Sequence, residues 1–345
     1  MKKKIRQLLK RVPGVKAAYL LACRLVLDRW RMREMFAYDR ARFLKFSPHS
    51  RETKAGALAS IVMTYHIVEK GLTMPDMRLG FGREMLLGLV AALNDFADRY
   101  GTDEAQFRAA VAVVAEYRKV HADAGFALDE ERVRAIDSLL ARVPVEPSRQ
   151  IEMTRERYFA DLDAPFETFS ASRHSVRHFA GTVSLEQIRA AVALANNAPS
   201  ACNRQYVRVH CVSDHEKIRE CLALQNGNRG FGHLADKLLI LTADLRAVWG
   251  AERNDLFTNA GIYLMNLCYA LHKNRVAHCM LNWSVPPKTD RALRRLLNTP
   301  PPRFPHSRLE DSETVVVFIA CGGVPEKFRL ASSPRKSVEE TLVLH

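Results

Sequence analysis

The spacing of apolar residues changes near Val143, and with it the kind of structure the chain can form. From Val15 to about Arg142 apolar residues recur at spacings of three and four, as in "AGALASIVMTYHIVEKGL", "REMLLGLVAALNDFADRY", "DEAQFRAAVAVVAEYRKVHADAG" and "LDEERVRAIDSLLARV". That period puts one apolar stripe on a helix, and no strand is needed there. Asp129 stands where a helix cap belongs, and Gly101 and Gly125 follow helix ends. "VPVEPS", Val143 to Ser148, carries two prolines and reads as a linker. Beyond it, short β-branched runs appear: "VRVHCV" at 207–212, "KLLILTA" at 237–243, "VAHCML" at 276–281 and "ETVVVFIACG" at 313–322. Helical stretches separate them, among them "LEQIRAAVALANNA", "HEKIRECLAL", "ERNDLFTNAGIYLMNLCYALHKN" and "KTDRALRRLLN". The expected class is α+β, with a helical N-terminal region over 1–148 and a sheet-containing domain over 149–345.

Charge is as unevenly placed as hydrophobicity. Residues 1–46 hold fourteen Lys and Arg against Asp28, Glu34 and Asp39, so +11 of the chain's +14 resides there. A basic start interspersed with Leu, Val, Trp and Phe suits peripheral contact with an anionic membrane at least as well as nucleic acid, the weakest of the partner classes. The competing expectation packs this segment's apolar face on the helical half and leaves its charges in water. "MKKKIRQLLKRVPGVKAAYLLACRLVLDRW" resembles a signal peptide only in outline, because Pro13, Lys16, Arg24 and Asp28 interrupt its apolar stretch. No apolar run of about 20 residues, the length of a membrane span, occurs. Seven cysteines with no C-x-x-C pair support neither a zinc knuckle nor a disulfide framework. The expected compartment is a reducing cytoplasm, with contact at the inner membrane face through residues 1–46 as an addition.

Glycines argue against the common nucleotide folds. "NGNRGFGH", with Gly227, Gly230 and Gly232, lacks the G-x-G-x-x-G order, "LGFGRE" lies between helical segments, and no G-x-x-x-x-G-K-[ST] occurs. Both groups are expected as turns. An anionic ligand would then be held by side chains, and "SRHSVRHF", Ser172 to Phe179, offers Arg173, Ser175 and Arg177. Guanidinium groups make bidentate, charge-assisted bonds to phosphate oxygens, and a serine hydroxyl adds a donor. After an amphipathic helix comes "NNAPSACNRQ", Asn196 to Gln205, and then a strand.

These two motifs, in this order and spacing, resemble the nitroreductase family of FMN-dependent oxidoreductases, over roughly Pro165 to the C-terminus. The resemblance implies an FMN-binding core, a central mixed sheet flanked by helices, and a homodimer with flavin at its interface. It also implies ping-pong exchange between NAD(P)H and a small-molecule electron acceptor. By it, Arg173 and Ser175, with His174 between them, hold the FMN phosphate and ribityl chain, and Arg177 lies by N1 and the C2 carbonyl. Pro199, Ser200 and Ala201 reach the flavin from the partner subunit, and Asn203 hydrogen-bonds the ring. Arg335 and Lys336, in "SSPRKSVEE", contact the phosphate. A cation near N1 has a purpose, since two-electron reduction leaves negative charge there. No catalytic side chain is named by the motifs.

The chain also departs from the family pattern. "QYV" stands where Pro-Trp often follows the glutamine, and "VAHCMLNW" stands where many members have G-L-G, so His278, Cys279 and Trp283 are expected to alter which substrates fit above the isoalloxazine. Cys202 is expected as a small buried filler, and Gln205 as a turn-stabilising amide as much as a flavin contact. His66 and Glu69 share a helix face, but no second such pair accompanies them, so helix-end polar groups are expected rather than a metal site. The helical half resembles, more loosely, proteins associated with bacterial polysaccharide biosynthesis. The competing function is a catalytically inactive flavin-fold scaffold or binding protein, peripheral to the membrane.

Overall fold

The computed structural model describes residues 14, 17, 28–47, 53–147, 150–299 and 308–345. Its N-terminal helices are α1 (Asp28–Phe46), α2 (Lys54–Leu72), α3 (Arg83–Tyr100), α4 (Ala105–Asp123) and α5 (Glu130–Arg142). Thr53 caps α2 by accepting the Gly56 N–H at 3.1 Å, and Asp129 caps α5 by accepting that of Arg132 at 3.0 Å. Gly101 ends α3 at φ 81°, a left-handed turn that a residue with a Cβ adopts at a cost. Leu86, Leu89, Val90, Leu93 and Phe96 form one stripe of α3, none more than 3% exposed, and meet Phe107, Val114, Ile136 and Leu139 in the helical core. Each such side chain contributes about 1.5–3 kcal/mol by burial, far more than helix propensity does.

The rest of the chain forms β1 (Gln150–Thr154), α6 (Arg155–Tyr158), α7 (Phe166–Ser172), α8 (Leu185–Ala195), β2 (Val207–Val212), α9 (His215–Ala223), β3 (Lys237–Asp244), α10 (Asp255–Lys273), β4 (Ala277–Asn282), α11 (Pro287–Asn298), β5 (Glu313–Gly322) and β6 (Lys327–Ala331). The main sheet has the order β2-β3-β5-β4. Successive side chains of a strand point to opposite faces. Leu239 and Leu241 of β3 therefore pack with Leu256, Ala260, Leu267 and Leu271 of α10 and Ile188 of α8, while Leu238 and Ile240 join Ile218 and Leu222 of α9 and Leu293 of α11. The class is α+β with a helical N-terminal region. In one respect the expected mixed sheet is corrected, because every ladder among the described residues is antiparallel. β5 lies between β3 and β4 and runs opposite to both, and the parallel contact found among the described residues is the isolated bridge of Ser175 with His278.

Two short strands escaped the hydrophobic pattern. β1 and β6 pair antiparallel from Gln150 with Ala331 to Thr154 with Lys327. Each is five residues long and half charged or polar, and each is stabilised by the other.

The helical half is fastened to the rest through α2 and α4. Tyr65 Oη donates to Gln106 Oε1 at 2.6 Å, Gln106 Nε2 donates to the Pro334 carbonyl at 3.1 Å, and the Ser333 N–H donates to Glu69 Oε1 at 3.2 Å. α1 leaves Trp30 and Phe43 61% and 70% exposed and is tied by Asp39 to Arg253 at 2.6 and 2.9 Å. Residues 1–13, 15, 16 and 18–27, which carry the greater part of the expected membrane contact, lie outside the described residues. Among the described residues no helix is long and apolar enough to cross a membrane.

Candidate functional site

Arg173 ends α7 and opens an extended stretch along the edge of β4 that β5 leaves free. Ser175 forms its bridge with His278, and the Val176 N–H donates to the His278 carbonyl at 3.0 Å. Val176 and Phe179, 0% and 2% exposed, anchor the stretch in the core. Glycines allow the approach: a Cβ on Gly322 would stand 2.9 Å from that of Phe179, and one on Gly323 would collide with the Ala180 carbonyl. Gly323 also exchanges backbone bonds with this segment, accepting from Ala180 at 3.0 Å and donating to Gly181 at 3.3 Å.

Among the described residues the charges held there have no counter-ion. Arg173 Nε and Nη1 are buried without a hydrogen-bond partner. Arg177 is 8% exposed and makes no hydrogen bond or ion pair among the described residues. Burying such donors unpaired is costly, so a stretch that holds two of them is fitted to an anion. His174 is half-buried, and its carbonyl accepts from Tyr158 Oη at 3.2 Å. Burial, then Arg173 and Arg335, hold the His174 imidazole below its usual range, which brings Arg335 within electrostatic reach of the cluster. Arg335 and Lys336 line an open groove of about 780 Å³ between α2 and the C-terminal segment.

Two fully enclosed histidines lie behind Arg173. Burial, reinforced by His278 and Arg173, lowers His272 to about 3, and burial with Arg173 lowers His278 to about 4, so both rings are neutral at pH 7. His278 Nδ1 faces the Val276 carbonyl at 3.2 Å and must carry the hydrogen. Ser172 Oγ donates to the Phe169 carbonyl at 2.8 Å and therefore accepts from His272 Nε2 at 2.9 Å. His278 and Cys279 thus face the interior, 0% and 2% exposed, and Trp283 stacks on Phe318 with ring centroids 4.5 Å apart. His278 and Cys279, neighbours on β4, lie on its two opposite faces and both are buried, whereas Trp283, just past the strand, is half-buried.

The second motif is a strained turn. Cys202, Asn203 and Gln205 have φ of 53°, 54° and 48°, left-handed values that non-glycine residues adopt at a cost. Cys202 is exposed here, which corrects its expected burial: the left-handed turn lifts it off the core. Gln205 Nε2 donates to Asn203 Oδ1 at 2.9 Å, and its N–H donates to Ser200 Oγ at 3.0 Å. The turn is fixed from outside by Asn259 of α10, whose Oδ1 accepts the Ala201 N–H at 2.6 Å, and by Arg204, which bonds Glu252 at 2.8 and 3.1 Å and the Ala247 carbonyl at 2.7 Å.

Within one chain, then, Arg173, His174, Ser175, Arg177 and Arg335 come together, with Lys336 in the adjoining groove. Pro199, Ser200, Ala201 and Asn203 do not join them. Asn259 holds the second motif and His272 the first, and thirteen helical residues separate the two by about 20 Å at 1.5 Å per residue. Glu252 and Asn259 support the second motif from outside it. A serviceable signal was Arg204, the one charge inside the turn motif, which needed a partner.

His66 Nδ1 approaches Glu69 Oε2 at 3.1 Å, and the other Glu69 oxygen accepts from Ser333. Among the described residues no three His, Cys, Asp or Glu are grouped to hold a metal ion.

Comparison with known proteins agrees with the motifs in one segment: the nitroreductase family model matches residues 171–239. No curated protein matches the chain. Among solved structures, a nitroreductase family protein from Streptococcus pneumoniae shares 22% identity over 52% of this chain and 100% of its own, with a TM-score of 0.42. An FMN-dependent nitroreductase from Clostridium difficile shares 19% over 46% of this chain and 87% of its own, with a TM-score of 0.38.

Proposed function

We propose that this chain is an FMN-dependent oxidoreductase of the nitroreductase type, with residues 149–345 as the flavin-binding unit and 1–148 as an attached helical unit. The observation that carries the reading is the cationic stretch on the edge of β4, where among the described residues Arg173 Nε and Nη1 are buried without an acceptor and Arg177 is enclosed without an ion pair. These donors fit an anionic cofactor. Arg173, His174, Ser175, Arg335 and Lys336 would hold the phosphate and ribityl chain, and Arg177 the N1 and C2 carbonyl edge. Bound FMN would supply two-electron chemistry between NAD(P)H and a small-molecule acceptor. The protein's part is to bind and orient the flavin and to place positive charge where reduction puts negative charge. His272 and His278, enclosed and neutral behind Arg173, have no proton-transfer role in this reading.

The separation of the two motifs along α10 supports a homodimer in which Pro199, Ser200, Ala201 and Asn203 serve the partner's flavin. α10 also leaves Phe257 and Ile262 52% and 43% exposed on the side away from its core. The six described cysteines are free thiols, which supports the cytoplasm as its compartment, with anionic membrane contact through residues 1–46. The link to polysaccharide biosynthesis rests on the looser resemblance of the helical half.

The test is spectroscopic. Purified protein should be yellow, bleach on addition of NADH or NADPH, and carry two FMN per dimer by light scattering with absorbance. A colourless protein that takes up no added FMN would reject the enzyme and favour the scaffold. A monomer holding stoichiometric FMN would reject the shared site.

A further inference from the structure

The seam between the helical half and the sheet domain holds a cavity apart from the cationic stretch. It is an open pocket of about 620 Å³, walled by the loop after α2, by the ribbon of β1 and β6 and by α6. Arg157, Lys327 and Arg329 line it, and among the described residues Glu152 is the acid in its wall. None of these four side chains forms a hydrogen bond or ion pair among the described residues. Of the two motifs only His178 reaches the pocket; Arg173, Ser175, Arg177, Arg335 and Lys336 do not line it. Burial, opposed by Asp76, lowers the pKa of His178, so its ring is neutral at pH 7 and can donate as well as accept.

The pairing of the ribbon puts the charges there. Arg329 lies opposite Glu152, and Lys327 opposite Thr154. Residues two apart on a strand share a face, so these four make the polar face of the ribbon, while Met153 and Phe328 turn to the core of the sheet. Lys327 and Arg329 stand about 7 Å apart along β6, within which two long side chains can reach one anion. Thr154 brings Arg157 to the same end, its hydroxyl accepting the Arg157 N–H at 3.2 Å. The facing wall is fixed from both halves, since Met74 packs on the core of the sheet and Met77 on the helical core. Thr73 closes α2 between them and the helix, donating its Oγ1 hydrogen to the Lys70 carbonyl at 2.9 Å. Met74 and Met77 also wall a neighbouring cavity, where Asp76 is outnumbered by Lys70, Arg78 and Arg229.

Three cations around one carboxylate complement a dianion. A phosphate monoester carries about −1.5 to −2 charge at pH 7 and offers three strong acceptor oxygens, which guanidinium forks match in pairs. Inorganic phosphate alone would leave most of the pocket unused, because about 620 Å³ is the size of pockets that enclose whole organic ligands. The remaining wall describes the body of the ligand. Glu152 accepts hydrogen bonds, which sugar hydroxyls supply, and methionines adapt to flat rings through sulfur–aromatic contacts. We propose that this seam is a binding site for a nucleoside monophosphate, with the phosphate on Arg157, Lys327 and Arg329, the ribose hydroxyls on Glu152 and the base against Met74 and Met77. A ligand placed so touches both halves of the chain and fastens one to the other. Its binding does not require flavin.

The experiment is calorimetric titration of the full chain with AMP, adenosine and inorganic phosphate, with and without excess FMN, for wild type, Arg157→Gln and Arg329→Gln. Both arginines are exposed, so the variants should fold as wild type does. AMP should bind wild type equally with and without FMN, and at least about tenfold more tightly than adenosine or phosphate. Each variant should weaken AMP by about tenfold or more, the loss of a charge-assisted bond. Wild type that binds no AMP would overturn the site. Phosphate bound as tightly as AMP would overturn the nucleoside assignment, and AMP bound equally by wild type and both variants would place it elsewhere. AMP binding that excess FMN abolishes would put the nucleotide on the cationic stretch and overturn the seam site while leaving the flavin reading intact.

Discussion

Replacing Asn259 with alanine tests how the second motif is held. Asn259 is 7% exposed; its Oδ1 accepts the Ala201 N–H at 2.6 Å and its Nδ2 donates to the Asp255 carbonyl at 2.8 Å. The second bond is one that a helix carbonyl can replace with its own ladder, whereas Ala201 has no alternative acceptor in the turn. Leaving a partly buried N–H unpaired costs about 1–3 kcal/mol, and about 2 kcal/mol is expected here. Three left-handed residues follow Ala201, each strained by about 1–3 kcal/mol. With its tether gone the turn should relax toward unstrained backbone, so part of the loss is recovered as disorder at 200–205. Thermal unfolding should drop by about 4–8 °C, taking 2–4 °C per kcal/mol for a unit of this size. Amide exchange at Ala201 and Asn203 should rise more than exchange elsewhere. Asn259→Asp keeps the acceptor and should hold the turn better than Asn259→Ala. If Asn259→Ala loses stability while exchange at Ala201 is unchanged, the tether is not what holds the turn, and the reasoning fails.

Gly323→Ala drives a Cβ into the Ala180 carbonyl, and because the obstacle is backbone the strain of about 1–3 kcal/mol cannot be relieved by a rotamer; chemical denaturation should show it, and FMN affinity should fall with the shifted 173–181 stretch. Arg173→Ala removes charge-assisted contacts that contribute about 1.5–3 kcal/mol, so FMN titration should show at least tenfold weaker binding, and unchanged affinity would contradict the phosphate assignment. His272 and His278 stay neutral in the folded chain at about 3 and about 4, while the unfolded chain takes up their protons near pH 6.5. Stability should therefore fall as pH drops below about 6.5, by about 2.7 kcal/mol per pH unit for two protons down to about pH 4. His121, His174 and His178, also lowered by burial, add to the top of that window. Denaturation midpoints that are flat from pH 7 to 5 would refute this.

Local chemistry made much of the molecule legible in advance. The period of three and four found α2 to α5, the Asp129 cap followed from its side chain, and β2 and β5 were bounded by their β-branched runs, because each depends on neighbours within a few residues. The two-motif pattern singled out Arg173, Ser175 and Arg177 for the same reason, since side-chain type and short spacing carry the affinity for an anion. What required the tertiary structure involves surfaces that are distant in sequence. β1 and β6 are unremarkable alone and exist by pairing with each other. The burial of both His278 and Cys279 follows from the cover on the two faces of β4. The separation of the two motifs is set by the length of α10, and the tether of the strained turn by the face of α10 that carries Asn259. Arg173 reads as an ordinary arginine until its segment lies along β4; only then are its Nε and Nη1 buried without an acceptor, because the energy of a charge depends on which charges and how much water the folded chain leaves around it.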